Sequence, residues 1–316
     1  MVSIAIQTGR TLATFAACAI FVTVATACGG NGAPRSTPYA LASPTPSPVP
    51  SASTVPTDTP QPTPAAVTPH VFVVVMENTG LASALRSDPI ARLASANALA
   101  TNYHAVARPS LPNYLALTSG NTWGITDDGY HSLPDAADLG AQLTTAGVSW
   151  RAYMEGMTAD AGCTRSPYPY ALKHDPFAYY GGACPSNVVP IESLDADLAG
   201  ATPSFVWISP GLCHDGHDCA LDVAGTWLDG LVSRIESSAA WRSGGTLFIV
   251  WDEGGGGGSD LVPLIVLTKG VTPIRVETEY DHYSLLATIE DVFHLPRLGS
   301  AATATPLTPL LVGGGH

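Results

Sequence analysis

Positive charge is scarce in this chain. Lysine occurs only twice, at Lys173 and Lys269, and Lys plus Arg number 13 against 26 Asp plus Glu, a formal net charge of −13. Non-specific nucleic-acid binding draws on many cationic contacts to phosphates, so this composition argues against it. A polybasic membrane-binding patch is missing for the same reason. A bare phosphate pocket is also disfavoured unless a metal ion offsets the carboxylates. Long apolar runs are lacking as well. The stretch Leu12–Ala27 has 16 residues, short of the roughly 20 that a membrane-spanning helix needs. There is no internal repeat, and the glycine run Gly254–Gly258 lacks the spacing of a nucleotide-binding loop.

Apolar residues make up 46% of the 316, ample for a core. At roughly 100–200 residues per domain the chain holds one large domain or two small ones. Residues 1–27 read as a signal peptide: Arg10, the apolar stretch, then the small-x-small pattern Ala25-Thr26-Ala27. Cys28, Gly29 and Gly30 follow, as in a bacterial lipoprotein signal with Cys28 lipidated. Ala25 stands where such signals usually carry an aliphatic residue, so ordinary secretion, which cuts the same bond, stays open. Either way the protein is exported, held on the outer face of the membrane by lipid alone or released. Residues 28–68 read as a linker. Between 34 and 64, ten of 31 residues are Pro and eleven are Ser or Thr, too little apolar surface to offset ordering entropy. The globular domain is then 69–316. It keeps 11 basic and 25 acidic residues, a net of −14, so the acidity belongs to the domain.

Four cysteines remain beyond the leader: Cys163, Cys184, Cys213 and Cys219. In an oxidising compartment an even count predicts two disulfides. Three connectivities are open, and Cys163–Cys184 with Cys213–Cys219 is the simplest.

The run His70–Met76 is continuous and Val-rich, the mark of a strand buried on both faces. Similar runs cover Ser204–Ile208, Thr246–Trp251 and Leu261–Leu267. Pro263 makes the last a poorer or edge strand. Helix-like spacing covers Asp88–Ala100, Asp138–Ala146, Asp222–Ser237 and His282–Phe293. Alternating strands and helices predict an α/β sandwich with a mostly parallel central sheet and helices on both faces.

Ligands bind at the carboxyl ends of strands in such sheets. There the sequence places Glu77 and Asn78, then His214, Asp215 and His217, then Asp252 and Glu253. Gathering so many carboxylates is costly without a cation. Oxygen donors suit hard divalent ions such as Mg²⁺, Ca²⁺ or Mn²⁺. Taken singly, each of these residues is more often a turn cap or a solvated acid. Ser110 precedes a predicted helix over Leu111–Ser119, where an ordinary N-cap is the bland reading. The same position suits a metal-activated nucleophile beside free N–H groups. Asn113 and Arg108 are placed to contact phosphate. His214 and His217, flanked by Cys213 and Cys219, are either a zinc site, an exposed turn, or imidazoles free for proton transfer. His174 lies in an aromatic stretch that by itself means packing.

The segments VVVMEN (73–78), PSLPNYLALTSG (109–120), LKHDPFAYY (172–180), SPGLCHDGHD (209–218), TLFIVWDEGG (246–255) and YDHYSLLATIEDVFHLP (280–296), in this order, resemble the bacterial phosphoesterase family of acid phosphatases and phospholipases C. That family belongs to the alkaline-phosphatase-like superfamily. The resemblance implies Ser110 as the nucleophile that takes the phosphoryl group. It implies a divalent metal, Mg, Ca, Mn or Zn, held by Glu77, Asn78, Ser110, Asp252 and Glu253. His214 and His217 would be catalytic, and Asn113, Arg108, His174, Asp215 and His282 would line the substrate. The family usually has His where this chain has Arg108, which bears on pH optimum or substrate preference.

The expected activity is thus hydrolysis of phosphate monoesters, phosphoinositides among them, through a phosphoserine. The partner would be a phosphorylated small molecule or a phospholipid head group. A phospholipase C-type diesterase is the alternative, disfavoured because no lipid-binding segment is apparent after Pro296. A tethered envelope binding protein is the rival from another class, but it has no use for Ser110 beside two acidic strand ends.

Overall fold

The protein is described here by a computed structural model covering residues 69–257 and 260–312. The expected signal peptide, Cys28 and the 28–68 linker lie outside the described residues.

Among the described residues nine strands form one sheet: β1 Val71–Met76, β2 Ala98–His104, β3 Trp150–Met154, β4 Val188–Pro190, β5 Phe205–Ser209, β6 Thr246–Trp251, β7 Leu261–Thr268, β8 Arg275–Val276 and β9 Tyr280–Asp281. Their order is β4-β3-β5-β1-β6-β7-β2-β8, and β9 also pairs with β2. The interfaces from β4 to β6 are parallel, and β7 runs antiparallel to both β6 and β2. The fold is therefore mixed α/β with a mostly parallel central sheet. All six residues of β1 are buried, so both sheet faces are covered, as its unbroken apolar run requires. Val73 sits in register between Trp207 and Phe248.

Pro263 does not mark an edge. Strand β7 lies inside the sheet, and Pro263 falls where the β2 register shifts between Ala100 and Tyr103. On the other side the last pair with β6 is Val250–Leu264. The missing N–H thus meets a bulge, the one interior place a proline fits.

The predicted helix Asp88–Ala100 is too long. It stops at Ala96, Asn97 is extended, and Ala98–Ala100 pair with Val266–Leu264 of β7. Alanine favours helix locally, and long-range pairing overrides that preference. The other helices run Leu139–Thr145, Leu221–Glu236 and His282–Val292, each within two residues of its sequence-based limits. Asp138 caps the first by accepting from Ala141 N, and Asp281 opens the last with a capping box closed by Ser284. The disulfides join Cys163 to Cys184 and Cys213 to Cys219.

Candidate active site

The carboxyl end of β1 delivers Glu77, which is fully buried. Its backbone N–H donates to Asp215 O at 2.9 Å, which fixes the loop after β5 against it. Its Oε2 accepts from Ser110 Oγ at 3.0 Å and from Asn78 Nδ2 at 3.1 Å. Its Oε1 lies 2.9 Å from His174 Nε2. One residue, through its carboxylate and its backbone N–H, therefore joins four segments of the chain.

Ser110 is the first residue of the helix Ser110–Ser119, and Pro109, not Ser110, is its N-cap. The Ser110 hydroxyl does no capping and donates to Glu77 instead. That removes the bland reading of this serine. One turn on, Tyr114 shares its helix face and stacks on His174 with centroids 5.1 Å apart and planes at 8°. At the far end Gly120 has φ +67°, and a Cβ there would meet Leu298 O at 2.3 Å, so only glycine lets this helix end against residues 298–299.

His174 is buried, with Nδ1 3.2 Å from Asp215 Oδ2 and its carbonyl accepting from Ser209 Oγ. Burial alone would lower its pKa, but the Glu77 charge and the bond to Asp215 raise it to about 10. Burial would likewise raise Glu77, yet the His174 charge holds it at about 2. An imidazolium between two carboxylates is thus the main buried countercharge.

Strand β6 delivers Asp252 and Glu253. Asp252 Oδ1 accepts from Asn78 N at 3.0 Å, where Asn78 takes φ 48°, a left-handed turn that Asn tolerates. Gly255 crosses so close that a Cβ would lie 2.3 Å from Asn78 O, which explains one glycine of the run. Burial and then the Glu77 charge push the Asp252 carboxyl well above its usual value. Burial raises Glu253 to about 7, against the pull of Arg108.

Among the described residues no three His, Cys, Asp or Glu are grouped to hold a metal. The donor set is mixed: carboxylates of Glu77 and Asp252, the Asn78 amide and the Ser110 hydroxyl, with Glu253 beside them. Asp252 Oδ2 is buried without a hydrogen-bond partner, beside the Glu77 carboxylate whose charge it feels. A hard cation relieves that condition, so these residues fit a divalent ion bound through oxygen.

The remaining expected residues divide. Asp215 and His217 join the site: Asp215 Oδ1 accepts from His217 N, and His217 Nδ1 is bonded to Asp218 with Nε2 3.3 Å from Lys173 Nζ. Arg108 donates to Gly254 O at 2.6 Å and lies 3.5 Å from Glu253 and 2.9 Å from Asp260, so it ties the serine loop to the β6 loop. Asn113 is buried with its amide committed, accepting from Val106 N and Ala107 N and donating to Ala107 O and Pro109 O. It shapes the serine loop and has no group left for phosphate. His282 is also committed, to Tyr103 OH and Asp252 O, and burial lowers its pKa to about 4. It braces β6 from behind. His214 bonds Glu155 at 2.7 Å and stacks on Trp227, in the wall of the disulfide loop.

Three contributors escaped the sequence reading. Lys173 and Asp128 stand beside Ser110, at 3.5 Å from Oγ and bonded to Leu111 N respectively. The signal for Lys173 was there, one of two lysines in an acidic chain and next to His174. Asp128 looks like any Asp-Gly turn. Glu155 follows β3, a strand the sequence pattern did not reveal.

A model of the Phosphoesterase family matches residues 84–296. A phosphatidylinositol-3-phosphatase of Mycobacterium tuberculosis is 29% identical over 251 residues, covering 76% of this chain and 82% of that protein. A probable acid phosphatase of Kluyveromyces lactis is 27% identical over 282 residues, 83% of this chain and 67% of that one. Among solved structures, an alkaline phosphatase superfamily protein from Vibrio parahaemolyticus matches with a TM-score of 0.51 at 11% identity, over 74% of this chain and 70% of that one; this likeness concerns the fold alone.

Proposed function

Because the chain belongs to the Phosphoesterase family, we propose that it is an acid phosphatase that cleaves phosphate monoesters with Ser110 as nucleophile. It is a phosphoric ester hydrolase. The observation that carries the finer reading is the Ser110 hydroxyl at a helix start, spared from capping and held 3.0 Å from a buried carboxylate.

In this reading Glu77, Asn78, Asp252 and Glu253 hold a divalent metal together with Ser110. Such an ion, when bound, supplies Lewis-acid stabilisation of the phosphoryl charge and of the serine oxygen. Glu77 and Asn78 orient Ser110 Oγ. The Oγ–P bond forms as the P–O bond to the alcohol breaks in line, and the Oγ proton leaves along its hydrogen bond to Glu77 Oε2, from which it returns when the serine is freed. The leaving oxygen takes a proton from Nε2 of His217 in its imidazolium form, whose Nδ1–H donates to Asp218. Water then cleaves the phosphoserine and releases phosphate. His174 and Asp215 keep Glu77 in place. The relative from Mycobacterium tuberculosis makes phosphoinositide head groups the first substrates to test. Residues 1–27 would direct export, with Cys28 as the lipid anchor; membrane fractionation of a Cys28→Ser variant tests this.

Ser110→Ala should abolish release of nitrophenol from p-nitrophenyl phosphate while the circular dichroism spectrum is kept. Acid quenching of the wild type with labelled substrate should trap label on Ser110. Retained turnover in Ser110→Ala overturns the assignment. Parallel assays on a phosphocholine lipid separate a monoesterase from a diesterase.

A further inference from the structure

One carboxylate occupies the donors beside Ser110. Asp128 Oδ1 accepts from Leu111 N, the backbone donor directly after the nucleophile, at 3.0 Å. Its Oδ2 lies 3.2 Å from Lys173 Nζ. That ammonium is itself 3.5 Å from Ser110 Oγ and 3.3 Å from His217 Nε2. Asp128 thus spans the lysine and the N–H nearest the nucleophile. A phosphoryl group bonded to Ser110 needs donors in these directions.

We propose that Lys173 is a phosphate-binding residue of this site, and that Asp128 is a place-holder which the substrate phosphate displaces. The proposal rests on the reading of Ser110 as the nucleophile. The charge balance supports it. Glu77, Asp252 and Glu253 face the same space, and an incoming phosphate needs a nearby cation. His174 is enclosed between Glu77 and Asp215, and Arg108 is engaged by Gly254, Glu253 and Asp260. Lys173 touches the nucleophile itself. The release is cheap on the Asp128 side, because its side chain is 32% exposed and belongs to the loop between residues 121 and 132. In the absence of ligand the pair keeps Lys173 aimed at the serine and offsets its charge.

The two residues make opposite predictions. Inorganic phosphate is titrated calorimetrically into the metal-loaded wild type and variants, and its competitive inhibition constant is measured alongside. Lys173→Met should weaken phosphate binding at least about tenfold, with Lys173→Arg recovering part. Asp128→Asn should tighten phosphate binding by about three- to tenfold. If Lys173→Met unfolds, Asp128→Asn on its exposed loop carries the test. Phosphate affinity unchanged within about twofold in Lys173→Met, or weakened in Asp128→Asn, overturns the proposal. Calorimetry needs no turnover, so the two readings fail separately. An active Ser110→Ala removes the nucleophile assignment; an inactive one with normal phosphate binding in Lys173→Met removes only the role of Lys173.

Discussion

The His174 imidazole and the Glu77 carboxylate form an ion pair sealed from solvent, with Nε2 and Oε1 2.9 Å apart and neither residue more than 2% exposed. Each member holds the other charged against burial. The pair fastens the 172–174 turn to the end of β1, and Ser110 hangs on the same carboxylate.

This pair gives the metal-free protein a pH window. His174 is raised from 6.5 to about 10, so its contribution is complete below pH 6.5 and is lost as pH climbs towards 10. Glu77 is lowered from 4.5 to about 2, so its contribution is complete above pH 4.5 and is lost as pH falls towards 2. Both act fully between about pH 4.5 and 6.5. Melting temperature in the presence of chelator should peak there. His174→Asn should flatten the peak and cost about 3–5 kcal/mol, because it strands a buried carboxylate. A wild-type maximum above pH 8 would contradict the assignment.

Removing the metal should remove the activity. Dialysis against EDTA is expected to lower turnover at least about a hundredfold, and a divalent ion should restore it. The ion should also raise the melting temperature by binding the folded state alone. Asp252→Asn keeps the size but weakens the donor whose Oδ2 has no partner, so it should blunt that melting shift. Full activity after exhaustive chelation would refute metal dependence.

Asn113 should behave as a structural residue. Its four hydrogen bonds fold the segment 106–109 back onto the serine helix. Asn113→Ala leaves those backbone groups unpaired, at a cost of about 1–3 kcal/mol for a buried unsatisfied group. Urea unfolding should show that loss, kcat should fall as Ser110 shifts, and the inhibition constant for phosphate should stay within about twofold. A large rise in that constant with stability intact would return Asn113 to the phosphate.

How far the sequence reached depends on where each signal resides. Strands β1, β5 and β6 were legible because both faces are buried, which writes an unbroken apolar run into the chain. Strand β2 was not, because Ala98–His104 owes its conformation to β7, some 160 residues away in sequence. The site followed the same division. Glu77, Ser110 and Asp252 were legible from strand ends and a helix start. Asn113 and His282 were recognised as special, yet their partners are backbone groups and a tyrosine that no local pattern reveals. Lys173 and Asp128 matter through each other, and pairings across 45 residues leave no periodic trace.

Glu290 supplies a last test, on stability alone. It is fully buried in the helix His282–Val292, with Oε1 accepting from Leu298 N at 2.8 Å and Oε2 without a partner. Burial raises its pKa from 4.5 to about 8. The folded protein therefore binds a proton that the unfolded chain has released between those values. The Glu290 contribution to stability therefore falls as pH rises from 4.5, and the loss levels off above 8. Between pH 5 and 7 this amounts to about 2.5 kcal/mol at most. Glu290→Gln removes the proton exchange and keeps the acceptor for Leu298. Urea unfolding at pH 5 and pH 7 should show wild type losing more stability than the variant across that interval. Equal losses in the two proteins would mean that Glu290 ionises in the folded state as readily as in water.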